Sequence, residues 1–278
     1  MKKITIRTII LTLLILATLS VSAQREKIKG SRNVKELSEP LRPFTDIKVI
    51  DGLEVTLIQD ATTGYDLEMD DNLLEIISFD IRDSTLLVST RKDIRSSKKL
   101  NIIVRFEELN SVTVAAYSKV ISKSTINTED FACNLTSDSV FEGEIKSENA
   151  VITADESSKV DVEFKGDEIR FNLKNNAFAK ADINTEKFVV MASGRTDMNF
   201  KGNAEEATIT LTDNAEFKGR AFAVDQASLV LKDDTNALIS IDKDLVLDMN
   251  HKSELELYGS PSIVIEKLAG NSKILKKE

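Results

Sequence analysis

Tryptophan is absent from this 278-residue chain, and cysteine and histidine occur once each, as Cys133 and His251. A single histidine excludes any site that needs two imidazoles, including the common zinc arrangements. A single cysteine excludes an intramolecular disulfide and a thiolate metal cluster. Spacing places Cys133 in an apolar column described below, where it serves as a small buried side chain rather than a reactive thiol. Aromatic platforms for sugar rings are scarce, with Tyr65, Tyr117 and Tyr258 the only tyrosines. Gly166, Gly194, Gly202 and Gly219 form no phosphate-cradling pattern and read as turns.

Long apolar runs are also missing, apart from Ile9 to Leu19. Lys2, Lys3 and Arg7 precede that run and Val21-Ser22-Ala23 follows it, so residues 1–23 read as an export signal cleaved before Gln24. The run is short for a membrane span of roughly 20 residues, which favours cleavage over a retained anchor. Without the signal, 34 basic residues face 46 acidic ones, a net charge of −12. That balance argues against nucleic acid and against electrostatic docking to anionic lipid. After signal removal no stable membrane anchor is expected.

Residues 24–43, QREKIKGSRNVKELSEPLRP, are charged and lack apolar periodicity. They read as a tether or loosely attached arm. From Phe44 to about Leu109 apolar residues alternate: Ile47 and Val49, Leu53, Val55 and Leu57, Leu67 and Met69, Phe79 and Ile81. Leu86 and Val88 follow, then Ile102, Val104 and Phe106. Period two with β-branched residues predicts half-buried strands, separated by turns at Asp51-Gly52, Thr63-Gly64 and Arg82-Asp83-Ser84. Residues 70–77 fit either strand or a short helical turn, and the basic run 91–99 reads as a solvated loop.

From Val112 a repeat takes over. One column is Val120, Phe141, Val160, Ala179, Met198, Phe217, Leu238, Leu255 and Ile274, with spacings that depart from 19 by two at most. A second, eight residues earlier, is Val112, Cys133, Ile152, Phe171, Val190, Ile209, Val230 and Leu247. A third, two residues on, is Val114, Leu135, Ala154, Leu173, Ala192, Leu211, Lys232 and Met249. Lys232 breaks it, and Leu229 and Leu231 point to a one-residue slip there. An i, i+2 apolar pair is a strand with alternate side chains facing inward. Repeats of two helices need about 33 residues or more, so the spacing selects short strands stacked one coil on the next. The fold expected is all-β: a parallel β-helix, right-handed by the usual handedness of crossovers, with about nine 19-residue coils over 110–278 after the strands of 44–109. Residues 44–278 form one domain. Ser137-Asp138, Asn175-Asn176, Asp213-Asn214, Asp233-Asp234 and Gly270-Asn271 mark the corners, since Asn, Asp and Gly tolerate positive φ. Pro261 and residues 273–278 read as devices that blunt the C-terminal edge, while 44–109 covers the other end.

No catalytic, cofactor-binding or metal-binding residues stand out. Stacked Asp138, Asp213, Asp233 and Asp234 are the nearest candidates for calcium or acid–base work. Their corner positions, the even coil lengths and the shortage of aromatics favour a turn role. His251 falls at a corner too. Arg195, Asp197 and Asp213 cluster around two adjacent turns and are explained the same way.

The chain resembles the putative autotransporter adhesin family with the head GIN domain, whose members are exported proteins of Bacteroidota. The resemblance is carried by Pro43-Phe44-Thr45-Asp46-Ile47-Lys48-Val49, by Gly52-Leu53-Glu54-Val55-Thr56-Leu57-Ile58-Gln59, and by strand-and-small-turn units such as Ala116-Tyr117-Ser118 and Ala192-Ser193-Gly194. It covers about residues 40–275. Corners that in relatives run Ser-Gly-Ala-Ser often hold Asp or Asn here. The resemblance brings no catalytic residues; regular coils, the lack of an active-site pattern and the export signal lead to the expectation of a non-enzymatic, adhesin-like exported module in the periplasm, on the outer surface or secreted, which binds an unknown protein or surface ligand or self-associates as a homo-oligomer. The alternatives are a polysaccharide lyase or hydrolase on a β-helix scaffold, and a periplasmic structural or envelope-stress protein.

Overall fold

The computed structural model describes residues 25–278; the export-signal reading of residues 1–23 lies outside the described residues. Alternation becomes strand almost throughout. The first strands are β1 (Lys27–Lys29), β2 (Val34–Pro40), β3 (Asp46–Val49), β4 (Glu54–Gln59), β5 (Gly64–Asp70), β6 (Ile77–Arg82), β7 (Thr85–Thr90), β8 (Asp93–Ser96) and β9 (Leu100–Phe106). The coils follow as β10 (Ser111–Val114), β11 (Lys119–Ser122), β12 (Ile126–Asn127), β13 (Asp130–Leu135), β14 (Val140–Lys146) and β15 (Asn149–Ala154). Longer strands then bend through a whole coil each: β16 (Lys159–Leu173), β17 (Phe178–Ser193), β18 (Asp197–Thr212), β19 (Glu216–Leu231) and β20 (Asn236–Met249). The last are β21 (Glu254–Tyr258), β22 (Ser262–Leu268) and β23 (Lys273–Lys276). Parallel pairing from coil to coil makes a β-solenoid of about nine turns.

The apolar columns are stacks of opposed residues. Between β17 and β18, Ala179 faces Met198, Val190 faces Ile209 and Ala192 faces Leu211. All six are buried. Phe171, Phe188, Phe200, Phe217 and Phe222 fill the middle, with ring centroids as close as 4.7 Å for Phe188 and Phe222. Such tilted contacts add to the area term of aromatic burial.

The columns need one correction, at the slip. Ile209 is opposed by Leu229, Leu211 by Leu231 and Phe217 by Ala237. Val230, Lys232 and Leu238 therefore leave the core columns. The pairing of β18 with β19 shifts between Asn199 and Lys201, so β19 takes one extra residue there, as a β-bulge does. Because Leu229 and Val230 are both apolar, as are Ala237 and Leu238, the sequence pattern did not locate the bulge.

The first strands build the solenoid's closed end out of sequence order. Ile47 of β3 lies between Leu86 of β7 and Val112 of β10, so the terminal rung is made after the second one. Antiparallel β6 then covers β7, β5 covers β9 and β2 covers β5. Residues 44–109 thus cover this end as expected. The described part of the 24–43 arm, residues 25–43, is not loose, because β2 pairs along its length with β5, setting Leu37 opposite Leu67. The run 91–99 contains β8, which pairs with β1, so it is more ordered than a solvated loop. The open segment at 70–77 holds a single 3-10 turn, Asp71–Leu73, with Leu73 buried. At the other end Pro261 falls before β22 rather than within it, and β22 is exposed along its whole length.

Candidate interaction surface

The corners carry backbone geometry first. Ser137 and Asp138, Asn175 and Asn176, and Asp213 and Asn214 all have φ between +46° and +78°, two in succession at each corner. Asp and Asn meet that demand at low cost. Asp213 and Asp234 are exposed and Asp233 half-buried, and His251 Nδ1 lies 3.4 Å from Asp233. Among the described residues no group of three Asp, Glu, His or Cys side chains is placed to hold a metal ion. Arg195 and Asp213 project from separate corners, and Asp197 is engaged by Lys218 at 2.9 Å. Asp233, Asp234 and His251 line one shallow corner pocket with Lys252, Gly270 and Asn271, and Asp138 and Asp213 lie outside it.

One column escaped the sequence reading. Immediately after the corners, Ser118, Ser139, Ser158, Thr196, Thr235 and Ser253 point inward and are buried. Ser139 Oγ donates to the Val114 carbonyl at 2.8 Å. The tight corner leaves room only for small side chains, and Ala177 and Ala215 take the same place. Small size one residue past each corner was the available signal.

The two outward sheet faces differ sharply in charge. On the face made by β14, β21, β23 and the leading halves of β16 to β20, one stack runs Glu142, Asp161, Lys180, Asn199 and Lys218. Its neighbour runs Glu144, Glu163, Asp182 and Lys201. Successive coils are tied by Lys180 to Asp161 at 2.8 Å and Lys201 to Asp182 at 2.7 Å. The hydrogen bond to Asp182 holds the Lys201 ammonium above the ordinary lysine range.

The opposite face, made by β13, β15, β22 and the trailing halves of β16 to β20, carries a charged rim stack of Asp130, Asn149, Glu168, Lys187, Glu206, Gln226 and Asp244 beside two stacks that are nearly free of charge. One stack runs Ala132, Val151, Arg170, Val189, Thr208, Ser228, Val246 and Val264. The next runs Asn134, Thr153, Asn172, Met191, Thr210, Val230 and Asp248. Arg170 and Asp248 are the charged members. Arg170 is engaged by Glu168 at 2.8 Å. Burial would raise the Glu168 carboxyl, but Lys187 and Arg170 outweigh it and hold the group low. Val151 is 40% and Met191 48% exposed. With rungs about 4.8 Å apart, this face runs for roughly 34 Å.

Along the corner between the two faces lies a polar groove of about 540 Å³. Lys146, Lys165, Asn184 and Asn203 line one side and Glu148, Asp167, Glu186 and Glu205 the other. Gly166 forms its floor because a Cβ there would fall 1.7 Å from the Ser147 carbonyl oxygen. The Asp138, Asp213, Asp233 and Asp234 corners lie outside it.

The profile of one family, described as "Putative auto-transporter adhesin, head GIN domain", matches residues 43–163 and again 151–261. The chain belongs to this family. No curated protein matches it by sequence. Among solved structures, a putative adhesin from Parabacteroides merdae is similar at TM-score 0.70 and 16% identity, over 91% of this chain and 100% of that one. A putative adhesin from Parabacteroides distasonis gives 0.69 and 15%, with the same coverage of 91% and 100%. A third, from Parabacteroides distasonis and described as a putative lipid binding protein, gives 0.60 and 12%, again covering 91% and 100%. At these identities the likeness shows a shared fold.

Proposed function

We propose that this head GIN protein is an exported, non-enzymatic, adhesin-like module that binds a protein or surface ligand, or a second copy of itself, through its charge-poor face. The observation that carries the reading is the contrast between the two outward faces of one regular scaffold. In a chain with 30% charged residues, two adjacent outward stacks with only Arg170 and Asp248 charged depart from what solubility alone would produce. Depletion of charge, with Met and Val set among Thr and Asn, is the composition of an interface core. The adhesin description of the family and of its structural neighbours agrees with a binding role and with export.

Binding of the purified protein to whole cells and to immobilised matrix, together with its mass by light scattering, tests the reading. Met191→Glu combined with Thr208→Glu puts two carboxylates on the charge-poor face and should abolish binding or self-association. Lys180→Glu on the charged face should leave both intact. Equal behaviour of the two variants, or a monomer that binds nothing, would sink the proposal.

A further inference from the structure

The two charges within the charge-poor stacks are opposite in sign and too far apart to meet in one chain. From Arg170 the stack passes Val189, Thr208 and Ser228 to Val246, which is four coils on. Asp248 shares the coil of Val246 on β20, so at about 4.8 Å a coil the separation is roughly 19 Å. Asp248 is half-buried, and its Oδ1 is shielded from water with no hydrogen-bond partner. Lys267 of β22 is opposite it in register but does not supply that bond. The Arg170 guanidinium reaches Glu168 through Nη2, and a guanidinium has five N–H donors to place.

A two-fold axis lying in this face, along the strand direction at Thr208 and Thr210, relates the two positions, because that coil is two steps from each. Rotation about it lays a second copy face to face with the first, with the solenoid axes antiparallel. Asn172 then stands opposite Asp248 of the second copy, with Arg170 one outward position aside. An extended arginine spans that diagonal between sheets about 10 Å apart. The contact forms twice, since in an isologous interface residue i meets j and j meets i. Val189 and Met191 meet Ser228 and Val230 of the second copy, and Thr208 and Thr210 meet their own counterparts. A two-fold axis along the solenoid would instead bring Arg170 toward Arg170 and Asp248 toward Asp248.

We infer that the charge-poor face takes a second copy of this chain, antiparallel about Thr208 and Thr210, with Arg170 and Asp248 as reciprocal ion pairs. The inference rests on the reading of this face as the binding surface and names its partner. Copies of a chain with net charge −9 repel at long range, so a contact between them falls where least like charge is added. A foreign ligand has no need of two opposite charges spaced evenly about one coil; a second copy does. At the rim the axis sets exposed Glu206 against its own counterpart, a like-charge contact that weakens the dimer and that salt screens.

The test is sedimentation velocity of the purified protein over a range of concentrations. A reversible dimer is expected. Arg170→Asp and Asp248→Arg should each raise its Kd about tenfold or more, because symmetry counts every substitution twice, and the two together should restore it. Glu206→Gln should tighten the dimer. Thr208→Cys should join to its own counterpart through a short bismaleimide, whereas Lys180→Cys should not; Cys133 is buried and does not compete. A monomer at every concentration overturns the inference, as does a double reversal no tighter than either single one. If that monomer still loses cell or matrix binding on Met191→Glu with Thr208→Glu, the face serves a foreign ligand: the reading of the face survives and the choice of partner falls. A dimer indifferent to Met191→Glu with Thr208→Glu overturns both.

Discussion

Ile209 and Asp213 are close in sequence and opposite in tolerance. Ile209 is 1% exposed between Val190 and Leu229, so Ile209→Asp buries an unpaired carboxylate in a stacked column. A loss on the order of 4 kcal/mol or outright aggregation is expected. Asp213 is exposed at φ +59°. Asp213→Asn keeps a residue that tolerates this conformation and should change stability by less than about 0.5 kcal/mol. Denaturant midpoints of the two variants check both outcomes, and equal tolerance would overturn the column assignment. At this scale the sequence was highly legible. Val190, Ile209 and Leu211 announce their burial by spacing, and Leu229 and Leu231 lie where the slip at Lys232 pointed, while Ala237 stays hidden behind its apolar neighbour Leu238.

At the scale of elements, the clearest difference from the sequence reading is β2. Its charged residues gave no strand signal, since β2 is an edge strand that buries little. What holds the segment is a cluster at the end of β5. Asp70 is buried and accepts backbone N–H groups of Arg32 and Lys98 at 3.1 Å and of Lys99 at 3.2 Å. Asn33 and Ser31 donate to Asp71 beside it. Burial alone would raise the Asp70 carboxyl, but the N–H groups of Lys98, Arg32 and Lys99 and the nearby Lys98 charge outweigh it and hold it below the ordinary range. A carboxyl lowered by folding stabilises fully above its unfolded value of about 3.9, and that contribution is lost as pH falls through the lower folded value. Asp70→Asn should therefore lower stability at neutral pH and flatten the acid side of the stability profile. Denaturant midpoints at pH 7 and pH 3 test this: a variant as stable as the parent at pH 7 would count against the clamp. Limited proteolysis within 25–43 should quicken in the same variant.

At the scale of the whole molecule the solenoid is a linear array in which each coil touches its neighbours. Phe178 is opposed by Asp197 with a 19-residue offset that holds through β17. Deleting residues 178–196 therefore joins Ala177 to Asp197 with the remaining coils in register. The shortened protein should keep its β-sheet circular dichroism and a cooperative thermal transition at a lower temperature. Loss of folding would show that the aromatic stack from Phe171 to Phe222 acts as one nucleus rather than as separable rungs.

The division between what sequence alone determined and what needed tertiary structure follows from the range of each interaction. Strand type, coil length, inward columns and corners are local or periodic properties, and a period of 19 repeated along the chain states them without a structure. The out-of-order terminal rung, the pinned β2 and the bulge in β19 depend on partners far away in sequence. So do the two faces: Val151, Met191 and Thr208 are ordinary polar or apolar residues in the chain and become one surface only when coils are stacked.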